Sequence, residues 1–200
     1  MPATLSSICI YCGSSPGADP QFRAAAYATG QALALLGIRI IYGGGNIGLM
    51  GAVADGAIAA GGEVIGVIPH HLADKELAHA GATQMLRVGT MHERKAQMAD
   101  LADGFIALPG GIGTLEELFE TLTWLQLGLH HKPVALLDIA DFWQPLLTFL
   151  QSMTQHRFLK PEHRDLLLVD TDLSSLLERM THFSAPDAMK WLDTVKTDLR

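Results

Sequence analysis

A chain of 200 residues, 48% of them hydrophobic and 18% charged, has the composition of an ordinary globular protein and is long enough to fold around one core. The formal net charge of −7 argues against broad binding to nucleic acids or anionic membranes, which favour a basic surface. No apolar run approaches the roughly 18 residues of a membrane span, and the N-terminus lacks the basic region of an export signal. We therefore expect a cytoplasmic protein.

Strand-like and helix-like segments alternate along the chain. Strands are predicted over residues 7–13, 38–44, 63–69, 83–89, 104–110, 132–138 and 165–170. Helices are predicted over 19–36, 47–60, 91–102, 115–127, 141–155, 172–182 and 185–197, the first with Asp19 as its cap and Pro20 as its first residue. The strands show little polar alternation, which indicates a parallel sheet buried on both faces. We predict a single α/β domain over residues 1–200, with a doubly wound, mainly parallel, Rossmann-like sheet.

The cysteines and histidines offer little chemistry. Cys9 and Cys12 have the C-x-x-C spacing of redox proteins. However, they lie in a predicted strand, where residues three apart point to opposite faces, so we expect two free structural cysteines. Histidine doublets at 70–71 and 130–131 lie in predicted loops without a further ligand at metal spacing. We expect no metal site.

Two glycine-rich segments follow predicted strands, at the sheet edge where such folds bind ligands. The first, YGGGNIGLMG at 42–51, contains G-x-G-x-x-G, and the second is PGGIGT at 109–114. Backbone N–H groups in such loops can hold phosphate, but neither segment has the Lys-Ser/Thr of a P-loop. The strand after the first segment ends in VIPHH, without the acidic residue of an NAD site. We predict a phosphate cradle, with tight turns for helix packing as the alternative; the candidates in the first segment are Gly43, Gly44, Gly45 and Gly48.

A cationic pair opens the helix predicted at 91–102. Thr90 and Glu93 have the spacing of a capping box, and Arg94 and Lys95 follow in the first turns. The helix dipole disfavours cations there by about 0.3–1 kcal/mol. We expect the pair to face an anion that it shares with the glycine loops; a surface pair screened by Glu93 is the alternative.

Glu117 lies three residues after Thr114, so the two also have the spacing of a capping box. In an arbitrary helix that spacing would ordinarily be structural. Here it directly follows a phosphate-type loop at the end of a strand. Glu117 is therefore also a candidate for a catalytic carboxylate.

The segment MHERKAQMADLADGFIALPGGIGTLEELFETLTWLQLGLHHKPVALL, residues 91–137, resembles the LOG (Lonely guy) family of cytokinin riboside 5′-monophosphate phosphoribohydrolases. The similarity extends over about residues 7–170 and includes P-G-G-x-G-T-x-x-E and an upstream Met-x-x-Arg-Lys. The resemblance implies hydrolysis of the N-glycosidic bond of an adenine-type nucleoside 5′-monophosphate to free base and ribose 5-phosphate, without a cofactor. Many members are also labelled lysine decarboxylase, but neither the loops nor the six lysines suggest a pyridoxal site.

The resemblance also implies roles for individual residues. Arg94 and Glu117 match the family's catalytic pair. Its substrate contacts map onto Glu76, Lys95, Gly110, Gly111, Gly113 and Thr114. A carboxylate could stabilise an oxocarbenium-like sugar or orient water, and Arg94 could hold phosphate or ease departure of the base. A non-catalytic nucleotide-binding or sensing module on the same fold is the alternative, because it would need the cradle but not the carboxylate.

Assembly is the last expectation from sequence. Members of the family are homodimers or larger, and the helix predicted at 115–127 carries more apolar side chains than one sheet face needs. We expect a homodimer that binds a nucleoside 5′-monophosphate, with neither a nucleic acid nor a membrane as partner. Sedimentation of a stable monomer at micromolar concentration would contradict the dimer.

Overall fold

The computed structural model describes residues 5–73 and 78–185. Its strands are β1 (Ser7–Tyr11), β2 (Arg39–Tyr42), β3 (Val64–Pro69), β4 (Gln84–Val88), β5 (Gly104–Ala107), β6 (Val134–Leu137) and β7 (Leu167–Asp170). They form one sheet in the order β4-β3-β2-β1-β5-β6-β7, and every pairing is parallel. The predicted parallel α/β sheet is confirmed; a single domain over all of residues 1–200 stays a prediction.

Helices connect the strands along the described chain. They are α1 (Pro20–Leu35), α2 (Gly48–Ala59), α3 (His70–Leu72), α4 (Met91–Leu101), α5 (Ile112–Gln126), α6 (Gln144–Gln155), α7 (Pro161–Arg164) and α8 (Leu173–Thr181). The short helices α3 and α7 occupy segments predicted as loops. The helix predicted at 185–197 lies, after its first residue, outside the described residues. In residues 5–73 and 78–185, no helix combines the length and apolarity that crossing a membrane requires.

Two apolar layers cover the sheet, as the continuous hydrophobic strands predict. One core cluster contains buried residues of α1, α2 and α8, and the other contains buried residues of α4, α5 and α6. Cys9 belongs to the second cluster and Cys12 to the first, and both thiols are free. The prediction that these cysteines point to opposite faces is confirmed.

Local capping signals fix two of the helix starts. The Asp19 carboxylate accepts the N–H of Gln21 at 2.8 Å, with Pro20 as the first residue of α1. At α4, Thr90 Oγ1 accepts the N–H of Glu93 at 3.1 Å. The Glu93 carboxylate reaches back to the N–H of Gly89 at 2.7 Å, one residue before the cap. Both predicted helix starts are confirmed.

The order of the strands reverses at β1, which lies between β2 and β5. In open parallel sheets this switch point leaves a crevice beyond the carboxyl ends of the strands. The loops of the crevice are tied together at Gly13, which follows β1. Its N–H donates to Pro109 O at 3.1 Å, and its carbonyl accepts the N–H groups of Leu49 at 2.9 Å and Met50 at 3.3 Å. The two glycine-rich segments therefore meet at one place.

Candidate active site

A cavity of about 420 Å³ opens at this switch point. Its walls are the loops after β1 and β2, the end of β3, and the first turns of α4 and α5. Arg94 and Glu117 both line it, as do Gly111, Gly113 and Thr114 of the second glycine segment. The fold thus brings together residues that the sequence separates widely.

Arg94 is buried near the N-terminus of α4, with 8% of its surface exposed. Its Nε donates to the Val67 carbonyl at the end of β3, at 3.1 Å. Its Nη2 lies 3.4 Å from Glu117 Oε1, and its Nη1 lies 3.8 Å from Met91 Sδ. The guanidinium is therefore directed at the Glu117 carboxylate inside the cavity.

Lys95 points elsewhere, contrary to the expectation that the cationic pair shares one anion with the glycine loops. Its Nζ forms ion pairs with Glu116 and, at 3.0 Å, with Glu120 Oε2, both on α5. Burial opposes the positive charge, but the hydrogen bonds to Glu116 and Glu120 outweigh it and raise the pKa of Lys95. Consecutive helix residues do not face the same way, which separates the two cations. The predicted substrate contact of Lys95 stays a prediction.

Glu117 is not a helix cap. Helix α5 begins at Ile112, with Gly111 as an N-cap that makes no side-chain hydrogen bond, so Glu117 falls in the second turn. The predicted capping box of Thr114 and Glu117 is wrong because the helix starts earlier. A Cβ on Gly110 would lie 2.1 Å from Thr114 Oγ1. Thr114 therefore uses its side chain to pack over Gly110, inside the first turn.

Glu117 is buried, with only 8% of the residue's surface exposed, and this burial is the main influence on its pKa. Burial raises its pKa above the ordinary value; the Arg94 guanidinium opposes this shift, and the neighbouring Glu116 carboxylate adds to it. A carboxyl with a raised pKa beside a buried cation, in a cavity, is the pattern of an acid–base group. The arrangement suits a site that stabilises developing positive charge or activates water.

The two glycine segments present their helix starts differently. At α2, the N–H groups of Leu49 and Met50 are already bonded to the Gly13 carbonyl. At α5, the first N–H groups have no hydrogen-bond partner within the helix. The N-cap residue, Gly111, makes no side-chain hydrogen bond to them, and residues 111–114 line the cavity. The start of α5 is therefore the better site for an anion.

Comparisons with known proteins agree with this arrangement. A family model described as possible lysine decarboxylase matches residues 50–180. The chain is 42% identical over 179 residues to a probable cytokinin riboside 5′-monophosphate phosphoribohydrolase of Oryza sativa subsp. japonica, covering 90% of this chain and 73% of that protein. It is 43% identical over 175 residues to the cytokinin riboside 5′-monophosphate phosphoribohydrolase of Rhodococcoides fascians, covering 87% and 88%. This chain belongs to the LOG family.

Solved structures of more distant proteins have a similar fold. The molybdenum cofactor binding protein of Rippkaea orientalis superposes with a TM-score of 0.68 at 23% identity, over 90% of this chain and 97% of that one. The molybdenum cofactor carrier protein of Chlamydomonas reinhardtii gives 0.67 at 20% identity, over 90% and 98%. At these identities the likeness shows the Rossmann-like fold alone.

The glycines of the first segment divide into two groups. Gly43 and Gly45 line the cavity. Gly44 and Gly48 have φ of +78° and +64°, and a Cβ on Gly48 would lie 2.3 Å from the Ser14 carbonyl carbon. Gly48 thus serves close packing of α2 on the β1 loop. A phosphate contact by any of these four glycines stays a prediction.

Glu76, the remaining predicted substrate contact, lies outside the described residues. The described chain before Glu76 lines the cavity, and the described chain after it contacts the first glycine segment. Leu72 lines the cavity, Ala78 pairs with Gly45 in an isolated β-bridge, and the N–H of His79 donates to Gly44 O at 2.9 Å. A role for Glu76 in this family member stays a prediction.

Two residues that contact the site residues were not predicted from the sequence. Glu116 lines the cavity and pairs with Lys95, and its place beside Glu117 in the second glycine segment's helix was the available signal. Tyr11 is the other: its hydroxyl and Thr121 Oγ1 are 2.9 Å apart, and Thr121 donates to the Glu117 carbonyl at 2.9 Å. Tyr11 and Thr121 are 110 positions apart in sequence, and no local pattern connects them.

The described lining of this LOG-family cavity offers no lysine for the chemistry that the lysine decarboxylase description names. Pyridoxal enzymes hold their cofactor through a lysine Schiff base. Among the residues that the structure describes, none of the cavity's lining residues is a lysine, and the nearby Lys95 is paired with two glutamates. The same described ranges hold no group of three or more His, Cys, Asp or Glu side chains placed to bind a metal ion.

Proposed function

We propose that this LOG-family chain hydrolyses the N-glycosidic bond of adenine-type nucleoside 5′-monophosphates, including cytokinin riboside 5′-monophosphates, and releases the free base and ribose 5-phosphate. The observation that carries the proposal is the buried Glu117 carboxylate, 3.4 Å from the Arg94 guanidinium in the switch-point cavity. The names of the curated relatives, cytokinin riboside 5′-monophosphate phosphoribohydrolases, support it.

The chemistry follows from where charge develops. Breaking the bond between ribose and base leaves positive character on the sugar and negative charge on the departing base. The Glu117 carboxylate stabilises that positive character or orients the attacking water. Arg94 favours the ionised form of the carboxylate by its proximity, since its charge opposes the rise in the pKa of Glu117 that burial causes. We assign the 5′-phosphate to the N–H groups at the start of α5, because a helix N-terminus favours anions.

A non-catalytic sensing module is the competing function. Such a module needs the anion site at α5 but gains nothing from a buried carboxylate, whose desolvation costs folding free energy. The placement of Glu117 therefore favours the enzyme. Incubation with AMP and with N6-prenylated AMP, assayed for free base and ribose 5-phosphate, tests the choice. Turnover of neither nucleotide would favour the module.

The phosphate should be required for efficient hydrolysis. Charge-assisted hydrogen bonds from the α5 N-terminus are worth a few kcal/mol, equivalent to about a hundredfold or more in rate. We expect kcat/KM for AMP to exceed that for adenosine by at least this factor. Equal values for the two compounds would contradict a phosphate site.

An apolar substituent on N6 of the base should improve the substrate. The mouth of the cavity carries three exposed apolar side chains, Ile47, Met91 and Ile112, the last with 86% of its surface exposed. Burying each CH₂ group of a substituent against such surface is worth about 0.8 kcal/mol. We expect kcat/KM for N6-prenylated AMP to exceed that for AMP by about tenfold or more. A preference for AMP would contradict the expected contact between the N6 substituent and these three side chains.

We also infer a homodimer in the cytoplasm. Support for the dimer comes from strongly exposed apolar side chains on and beside α5 and α6, at Leu127, Leu129, Phe149 and Phe158. Such residues suit a protein–protein interface. Sedimentation measures the assembly, and fractionation of the expressing cells measures the location.

A further inference from the structure

Gly43, the first residue after β2, lies directly against the Arg94 guanidinium. A Cβ added to Gly43 would stand 1.8 Å from Arg94 Nη2 and 3.0 Å from Arg94 Cζ. Gly43 is absent from the described glycines with positive φ. Its backbone therefore has a conformation that other residues adopt readily. The space taken by Arg94, rather than the turn, requires glycine at this position.

The contact with Gly43 is one of several that position the Arg94 guanidinium. Val67 O accepts from Nε at 3.1 Å, Glu117 Oε1 lies 3.4 Å from Nη2, and the bare Cα of Gly43 lies against Nη2 as well. The other near neighbour of an added Cβ is Met50 Sδ at 3.1 Å. Both contacts are with the far ends of flexible side chains. A methyl group here would displace Arg94 and leave the backbone in place.

We propose that Gly43 is a positioning residue for the reaction: its missing side chain sets where the Arg94 guanidinium lies relative to Glu117. The inference rests on the proposed function, because Gly43 would affect the rate of hydrolysis only through the Arg94–Glu117 pair. It also separates Gly43 from its neighbours. A Cβ on Gly48 would strike the Ser14 backbone at 2.3 Å, so substitution at Gly48 disturbs the packing of loops instead.

A double-mutant cycle tests the inference. Gly43→Ala should lower kcat on AMP by about tenfold or more, with little change in KM and in the midpoint of thermal unfolding. In an Arg94→Ala background the same substitution should change kcat by less than about twofold, because the residue through which it acts is gone. Equal fold-losses in both backgrounds would overturn the proposal. A raised KM with unchanged kcat would overturn it too, in favour of a direct phosphate contact.

The pH dependence of kcat provides a second test, because a purely structural role of Gly43 would leave it unchanged. The charged groups that act on the pKa of Glu117 are Arg94 and, more weakly, Lys95 from α4, and Glu116 and Glu120 from α5. The thiols of Cys9 and Cys12 and the Tyr11 hydroxyl face it from β1 and the residue after it. Arg94 is the main group that opposes the rise in the pKa of Glu117. Moving it away should shift the acid limb of kcat to higher pH in Gly43→Ala; an unmoved limb would count against the proposal.

A crystal structure of Gly43→Ala tests the geometry without any activity measurement. Arg94 Nη2 should leave its position beside Glu117, and a guanidinium still in place would overturn the inference. Gly45→Ala is the matched structural control: Gly45 also lacks a positive φ, and the nearest atoms to its added Cβ belong to Met50, at 3.0 Å or more. Arg94 should stay seated in that variant. Displacement in Gly43→Ala together with a wild type that hydrolyses no nucleotide would refute the proposed function and uphold the positioning.

Discussion

Replacing Glu117 with glutamine should lower kcat on AMP-type substrates by about a hundredfold or more, the usual worth of a positioned acid–base group. Glutamine has the same shape and keeps an oxygen that can accept an N–H from Arg94. It cannot supply the negative charge that an oxocarbenium-like sugar or an attacking water requires. Steady-state kinetics on AMP and N6-prenylated AMP measure the effect.

The Glu117→Gln protein should remain folded. Loss of the 3.4 Å ion pair with Arg94 destabilises the folded state, but a neutral amide also avoids the cost of burying a carboxylate, at a residue that is only 8% exposed. These opposing terms should leave the free energy of unfolding within about 2 kcal/mol of the wild type. Urea denaturation at a pH above the raised pKa of Glu117 measures it.

The pH dependence of stability provides an independent check on residue 117. Because the folded-state pKa of Glu117 is raised, the unfolded chain loses this proton at lower pH than the folded chain. The contribution of Glu117 to wild-type stability therefore falls as pH rises from the ordinary glutamate pKa to the raised value, and is level above it. Glutamine does not titrate, so the variant should gain stability relative to the wild type across that window. Wild-type activity, which needs the carboxylate, should rise across the same window.

A matched substitution separates chemistry from general effects of charge. Glu178 is exposed on α8 and does not line the cavity. Glu178→Gln should keep wild-type kcat and the wild-type acid limb. Near-normal turnover by Glu117→Gln, measured beside this control, would mean that the reaction does not use the carboxylate.

The sheet and the first helix starts were accessible from sequence because their causes are local. Continuous β-branched and aliphatic runs require burial on both faces, so the strands, their parallel pairing and the switch-point edge follow from hydrophobic patterning. The Asp19 and Thr90 caps depend on atoms two or three residues away. The position of both glycine segments at the carboxyl edge follows from these elements.

The details of the site depend on distant contacts instead. Helix α5 starts at Ile112 because Gly111 caps it through its backbone and Thr114 packs over Gly110, and the Thr-x-x-Glu spacing gave no sign of either. Lys95 turns away from Arg94 because Glu116 and Glu120 lie opposite it on α5, more than 20 positions along the chain. Such pairings exist only after α4 and α5 have docked on the same face of the sheet.

The opposed charges of Arg94 and Glu117 explain why both residues are buried at one place. Burial favours the protonated form of Glu117 and disfavours an unpaired guanidinium. Each charge opposes the effect of burial on the other, so the pair favours an ionised carboxylate at a buried position, where its charge acts more strongly on a developing cation. The proposed phosphate site at the start of α5 uses different groups from this pair, so phosphate binding and bond cleavage should respond to different substitutions.

Arg94→Ala should therefore reduce kcat by about a hundredfold or more at neutral pH, while the preference for AMP over adenosine persists. Without the guanidinium, nothing equal to it opposes the burial of Glu117, so the pKa of that carboxyl rises further and the acid limb of the pH profile moves to higher pH. Part of the lost activity should return as the pH is raised. Kinetics on AMP and adenosine over a series of pH values measure both effects.

Two further variants complete the test of Arg94. Arg94→Lys keeps the charge but lacks the forked donors that reach Val67 O and Glu117 together. It should retain an acid limb closer to the wild type than Arg94→Ala does, with intermediate kcat. Arg23→Ala removes an exposed arginine of α1 and should leave both quantities unchanged. If Arg94→Ala instead raised KM for AMP and abolished the preference over adenosine at unchanged kcat, Arg94 would be the phosphate anchor. The separation of phosphate binding from the Arg94–Glu117 pair would then be wrong.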